Sequence, residues 1–364
     1  MTTGPIGFKA KLLALGLALA VAFGLCETAA RVMYPAPPEP VREPQLLYQS
    51  HPELGFIHVP NQAGYLDDGL ATINALGLRG VEPDVPKPAG SFRVLAIGDS
   101  TTFGWGVDDD ESYPARLERL LAADFPSRRP SVVNAGVGAY DLKQAARLLG
   151  HFAPVLEPDV VLVGAYWNDL PYEGVSPEGT ALGRGAQPRA RRPAAGRASK
   201  PFRIGNDPTS FNRFLRRSRA LYVMRHAWLS AIAPTDAASN QVQWEIALLE
   251  GTRSPAVDLA WADVGNTLAE IRDLAEQGGY DVGVLIVPIR AQVEQQYPNA
   301  DYQARIRQLA EAQGLFVVDP LQAFIDEPDS RSLFIPYDRM HLSAKGNALL
   351  AQAALEALGS GGHR

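Results

Sequence analysis

The chain is poor in cysteine, in paired histidines and in charge. Cys26 is its only cysteine, which excludes an intrachain disulfide and any multi-cysteine metal site. The six histidines are scattered. They form no His-x-x-x-His pair, so neither a structural zinc nor another bound metal is expected. Charged residues are 20% of the 364, and the net charge is −6. That balance argues against a nucleic-acid partner. What is present is 46% hydrophobic, the composition of a globular protein. The length suits one large domain with extensions.

Long apolar runs are also scarce, with one exception near the N-terminus. Residues 1–11 contain Lys9 and Lys11, and an uncharged stretch follows from Leu12 to Cys26. As a helix that stretch spans about 22 Å, short of the roughly 30 Å hydrocarbon core of a bilayer. Carried on to Tyr34, it is long enough, with Glu27 and Arg31 near the far interface. Residues 12–34 therefore read as an uncleaved transmembrane anchor or as a signal segment cut near Thr28-Ala29-Ala30. A buried amphipathic helix is a third reading. Leu25 before Cys26 does not suit a bacterial lipoprotein signal. The lysines place residues 1–11 in the cytoplasm and the body of the protein outside, and both leading readings imply export.

Pro35, Pro37, Pro38, Pro40 and Pro44 make residues 35–44 an extended linker. Residues 45–90 are expected to be a small, loop-rich cap. Its distinctive stretch is Asn74-Ala75-Leu76-Gly77-Leu78-Arg79-Gly80, either ordinary turn chemistry or a segment packed beside a site rim.

From residue 91 to 358 strands and helices alternate. Strands are expected at 93–97, 131–134, 159–164, 282–288 and 315–318, and helices at 111–124, 140–152, 257–277, 301–313 and 343–358. Apolar strands separated by helices imply an α/β fold with a parallel sheet covered on both faces. About 115 residues separate the third strand from the fourth, far beyond an ordinary connection. Within them, residues 174–205 are rich in Gly, Pro, Ala and Arg and read as a mobile linker. It would be a solvated basic loop, or a patch for anionic polymer or lipid headgroups. Residues 206–256 regain helical periodicity and read as a helical insertion, a lid or substrate-facing subdomain.

Chemistry-bearing residues follow the strands. Gly98-Asp99-Ser100 follows the first and Asn134-Ala135-Gly136-Val137-Gly138-Ala139 the second. Tyr166-Trp167-Asn168-Asp169 follows the third, and Asp338-Arg339-Met340-His341 lies beyond the fifth. In a parallel sheet these ends share one edge, where open α/β folds place their ligands. A serine hydroxyl is a weak nucleophile and needs a base. His341 has the intrinsic pKa for that role, and Asp338 can orient its ring. Ser100, Asp338 and His341 are thus the candidate catalytic residues. The Ser100 amide, an amide in the Gly138-Ala139 turn and the Asn168 side chain are candidate oxyanion donors. Tyr166 and Trp167 are candidate substrate-binding aromatics, suited to a sugar or an acyl chain.

These blocks resemble the SGNH hydrolases, the GDSL-type esterase/lipase superfamily. Gly98-Asp99-Ser100, Asn134-Ala135-Gly136-Val137-Gly138, Asn168-Asp169 and Asp338-x-x-His341 match the family's four blocks in order. The N-terminal segment and the Asn74–Gly80 stretch resemble a bacterial branch with a membrane anchor. The resemblance implies a three-layer sandwich around a five-stranded, flavodoxin-like parallel sheet, with the long insertion between its third and fourth strands. It also implies an acyl-serine intermediate formed without metal or cofactor. One departure is that the family's oxyanion glycine falls at Ala139. The expected activity is an exported serine esterase or deacylase acting on a small acyl ester, such as acetyl on a carbohydrate. The alternatives are an O-acyltransferase using the same residues on a polysaccharide, a lipid esterase, and a catalytically silent carbohydrate-binding protein.

Overall fold

Strand β5, Phe92–Gly98, is buried at all seven positions. A strand with no polar alternation must be covered on both faces, and in the computed structural model of the protein it is. The structure describes residues 8–36, 42–170, 201–203, 215–232, 240–297, 299 and 301–360. On one side β5 pairs in parallel with β6 (Pro130–Gly136), in a register that sets Val94 against Val132. On the other it pairs with β7 (Val160–Ala165), setting Val94 against Val160. Strands β8 (Asp281–Ile286) and β9 (Phe316–Val318) extend the sheet, giving the order β6-β5-β7-β8-β9, parallel throughout. This is the five-stranded, flavodoxin-like α/β sheet expected from the sequence.

Helices α3 (Tyr113–Asp124) and α4 (Leu142–Leu156) begin the flanking layers. Two longer helices, Pro255–Gly278 and Ala344–Ser360, pack with them, the first on α4 and the second on α3. Their ends are written in the sequence. Asp141 caps α4 by accepting from the Gln144 amide at 2.8 Å, and Gln144 reaches back to the Asp141 amide, a capping box. Ser254 caps Pro255–Gly278, which stops at Gly279 in the left-handed conformation, where glycine carries no Cβ penalty.

Residues 45–90 are more ordered than a loop-rich cap. They form two antiparallel hairpins, β1 (Tyr48–His51) with β2 (Gly55–His58), and β3 (Gln62–Leu66) with β4 (Gly69–Ile73). β4 alternates buried and exposed positions, the pattern of a strand covered on one face. Tyr48, Leu54, Phe56, Ile57 and Leu78 belong to the same apolar core as the sheet. The cap and the parallel sheet therefore share one compact unit.

The chain divides into two such units. One holds the sheet. The other is built from α1 (Phe8–Met33) and α5 (Arg219–Ile232). Helix α1 has 26 residues and a mean hydropathy of 2.0 over its most apolar window, none of which is buried. Helix α6 (Asn240–Leu249) belongs to the sheet unit, where Trp244, Leu248 and Leu249 are buried. The expected insertion at 206–256 is thus not one lid, because its two described helices have different hydrophobic partners. Residues 174–200 and 204–205, most of the expected mobile linker, lie outside the described residues, as do 37–41. Phe202 exchanges two backbone hydrogen bonds with Tyr48, at 2.7 and 2.9 Å.

Candidate active site

Ser100 opens the four-residue helix α2, Ser100–Phe103, at the carboxyl end of β5. Three glycines, one on each of three adjacent strands, let that turn lie close to the sheet. A Cβ on Gly98 would meet Thr102 Oγ1 at 2.3 Å, and one on Gly164 would meet it at 2.1 Å. A Cβ on Gly136 would meet the Phe103 amide nitrogen at 2.2 Å. Asp99 caps the turn, accepting from the Thr101 amide at 2.8 Å and the Thr101 hydroxyl at 2.6 Å. Its other carboxylate oxygen accepts from Asn168 Nδ2 at 2.9 Å. This bond fixes the plane of the Asn168 amide and leaves its second N–H as a donor for a reacting oxygen.

His341 Nε2 lies 2.9 Å from Ser100 Oγ, and His341 Nδ1 lies 2.8 Å from Asp338 Oδ2. The three side chains stand in line across 241 residues of sequence. Asp338 also accepts from the Met340 amide at 2.6 Å and the His341 amide at 3.0 Å, so the loop is folded around its carboxylate. Burial would raise the Asp338 pKa, but the His341 charge and these hydrogen bonds outweigh it and hold it at about 2. Burial likewise depresses His341, and the Asp338 carboxylate overrides it, leaving the imidazole above its ordinary 6.5. With Nδ1–H donated to Asp338, Nε2 carries the lone pair that faces the serine. Such an arrangement can remove the hydroxyl proton and hold it.

Gly138 is buried and Ala139 exposed in the turn after β6. Ala139 has φ 65°, a conformation that favours glycine. The backbone thus takes the shape of a glycine position while carrying a methyl group. Tyr166 and Trp167, expected to face substrate, are 0% and 2% exposed. The 3₁₀ turn Trp167–Asp169, closed by Asp169 accepting from the Tyr166 amide at 2.8 Å, turns both rings into the core. Burial and the neighbouring Asp99 carboxylate push the Asp169 pKa well above its ordinary range.

The ring that does stand beside the site is Trp105, which sequence reasoning missed. It stacks on His341 with centroids 5.4 Å apart and planes 14° from parallel. Its Nε1 donates to Asp67 Oδ2 at 2.7 Å, at the tip of the β3–β4 hairpin. A large aromatic between Gly104 and Gly106, five residues after the serine, was the available signal. Arg79 lies in the Asn74–Gly80 stretch singled out in the sequence, but its own part was not read there. Its buried guanidinium donates to the carbonyls of Phe103, Gly104 and Val107 at 2.6 to 2.8 Å and to Asp109 at 2.9 Å. The Asn74–Gly80 stretch is therefore both a turn, held by Asn74 accepting from the Leu76 and Leu78 amides, and the support behind α2.

The family model described as GDSL-like lipase/acylhydrolase matches residues 96–349. The chain belongs to that family. As a GDSL-like lipase/acylhydrolase it is a serine hydrolase acting on ester bonds. Solved structures similar to it include LAE5, an alpha/beta hydrolase enzyme from the metagenome of Lake Arreo, Spain. The identity there is 18%, covering 75% of this chain and 97% of that one, with a TM-score of 0.42. The lipase/acylhydrolase from Enterococcus faecalis is 13% identical over 73% of this chain and 95% of that one, with a TM-score of 0.38. Axe2, an acetylxylan esterase from Geobacillus stearothermophilus, is 17% identical over 74% and 95%, also with a TM-score of 0.38. No curated protein matches the chain.

Proposed function

We propose that this GDSL-like hydrolase is an exported, membrane-anchored esterase that removes a small acyl group, acetyl on a carbohydrate in particular, through an acyl-serine intermediate. The observation that carries the reading is the line from Ser100 Oγ through both nitrogens of His341 to Asp338, with spacings of 2.9 and 2.8 Å. Helix α1 supports the location, because it is long and apolar enough to cross a bilayer and carries Lys9 and Lys11 in its first turn.

In this mechanism Ser100 Oγ attacks the ester carbonyl while His341 Nε2 takes its proton. The tetrahedral oxyanion is met by the Ser100 amide, an amide of the Gly138-Ala139 turn and the free N–H of Asn168. Collapse expels the alkoxide, which receives the proton from His341. Water then attacks the acyl-serine, with His341 as base again, and the acid leaves. Asp338 holds one ring tautomer throughout and stabilises the imidazolium.

The test is hydrolysis of p-nitrophenyl esters from acetyl to long acyl chains, using the full chain and its Ser100→Ala variant. Hydrolysis strongest on acetyl and abolished by Ser100→Ala in a folded protein is the expected result. A long-chain preference would redirect the reading to lipid esters. Turnover that survives Ser100→Ala would overturn the nucleophile. Acetyl transfer to an added sugar, without hydrolysis, would make the protein an O-acyltransferase. A folded protein with neither activity would be a silent binding protein.

A further inference from the structure

Glu27 is the one acidic residue of α1, and its carboxylate is fully engaged. It accepts from Arg31 Nε at 2.6 Å within the helix. From the start of α5 it accepts from Ser218 Oγ at 2.7 Å, the Ala220 amide at 3.0 Å and the Arg219 amide at 3.1 Å. Arg219 in turn donates to the Tyr34 carbonyl at 2.5 Å. Helix α5 thus begins on the distal end of α1, with a carboxylate satisfying its otherwise orphaned N-terminal amides. Ala30 is buried in the same unit, as are Ala220 and Tyr222. Of the small residues Thr28-Ala29-Ala30, which suit signal cleavage, Ala30 is therefore buried in a built helix contact. A cut there would part Glu27 from the helix it caps.

Helix α5 and its lead-in are also unlike a solvated surface helix. Residues 215–232 contain Arg216, Arg217, Arg219 and Arg225 and no acidic residue. Met224 and Trp228, one turn apart, are 58% and 61% exposed. On α1, Leu13, Leu17 and Leu25 are 67–77% exposed. A basic amphipathic helix with an outward tryptophan fits the headgroup layer of an anionic bilayer. Its direct attachment to an apolar helix of spanning length puts that layer within reach.

We infer that α1 remains on the mature protein and that α1 and α5 form a two-helix seat in an anionic phospholipid surface. In this seat α1 occupies the hydrocarbon, and α5 lies at headgroup level with Met224 and Trp228 turned to lipid. The inference rests on α1 being a membrane anchor, and its test separates the two. The chain has five tryptophans. Trp167, Trp244 and Trp261 are buried and Trp105 is half-buried, so lipid-borne quenchers report on Trp228. The full chain is purified from host membranes, weighed intact and placed in phosphatidylglycerol/phosphatidylcholine vesicles with brominated acyl chains. An uncut N-terminus is expected, together with bromine quenching that is largely lost in Trp228→Phe and reduced in Glu27→Gln. A mature chain starting beyond Glu27 would overturn the inference. So would equal quenching in wild type and Trp228→Phe, as when a second copy covers α5, although an intact chain held by the vesicles would leave the anchor standing. An intact chain that stays free of vesicles would overturn the anchor itself. Ser100-dependent hydrolysis in the same samples reports on the esterase separately.

Discussion

His341 is the base of the proposed mechanism, and its environment sets a pH signature. Its pKa is raised above 6.5 because the Asp338 carboxylate outweighs the effect of burial. A base must be neutral to act, so kcat/KM should fall as pH drops through a value above 6.5. Asp338→Asn removes the main charge that opposes burial, leaving only the weaker pull of Asp99 and Asp67. The acid limb of the kcat/KM profile should then move to lower pH, while the plateau falls by about 10²–10⁴-fold. A limb that stays in place would show that Asp338 does not set the imidazole's charge. Ala139 carries a different strain. An L-residue in the left-handed region costs roughly 1–2 kcal/mol, and glycine gives back about 0.4–1 kcal/mol of that in unfolded-chain entropy. Ala139→Gly should therefore raise stability by about 0.5–1 kcal/mol in urea titrations and leave the Ser100-dependent rate in place. Loss of stability instead would mean that the methyl group is a packing contact.

At the scale of elements, the turn that presents Ser100 exists because three strand ends omit a side chain. The contacts differ in kind, and that difference is testable. A Cβ on Gly164 meets Thr102 Oγ1 at 2.1 Å, while its next neighbours, Thr102 Cβ and the Ile97 carbonyl, are at 3.5 and 3.6 Å. Gly164→Ala should cost about 1–3 kcal/mol, as overpacking does, and Thr102→Ala in the same chain should recover most of it. A Cβ on Gly136 meets backbone at 2.2 Å, so Gly136→Ala has no such rescue. Chemical denaturation of the two pairs decides the matter. Equal rescue at both glycines would refute the geometry. The Gly98-Asp99-Ser100 turn and the strand ends were legible in the sequence because each is local, an apolar run ended by a small residue, whereas the closeness of Gly136 and Gly164 to Phe103 and Thr102 exists only in the fold. The rings were less so. Tyr166 and Trp167 adjoin Asn168 in sequence, yet hydrophobic burial turns them inward. Trp105 reaches His341 only through the fold, and Asp67, 38 residues away from it, leaves no periodic trace.

At the scale of the whole molecule, the N-terminal hairpins are where the sequence misled most. Strands of four or five residues punctuated by glycine read as loops, and the burial alternation of β4 leaves no mark in Gly69-Leu70-Ala71-Thr72-Ile73, where the apolar Leu70 faces outward. Their packing makes them part of the enzyme rather than an accessory. Leu54, Phe56, Ile57 and Leu78 are each no more than 4% exposed and join the sheet's core. At about 1.5–3 kcal/mol per buried side chain, these four together match the roughly 5–15 kcal/mol net stability of a typical domain. The same segment supplies Arg79 behind α2 and Asp67 beneath Trp105. Removing Arg79 would take one buried donor from each of the carbonyls of Phe103, Gly104 and Val107, and although Asn134 still donates to Phe103, lost buried hydrogen bonds are costly. Deleting residues 42–90 should therefore abolish cooperative unfolding as well as hydrolysis, as read by near-ultraviolet circular dichroism through a thermal scan. A deleted chain that melted cooperatively within a few degrees of the full protein would show that residues 91–358 fold alone. The hairpins would then be a cover on the hydrolase domain and not a layer of its core.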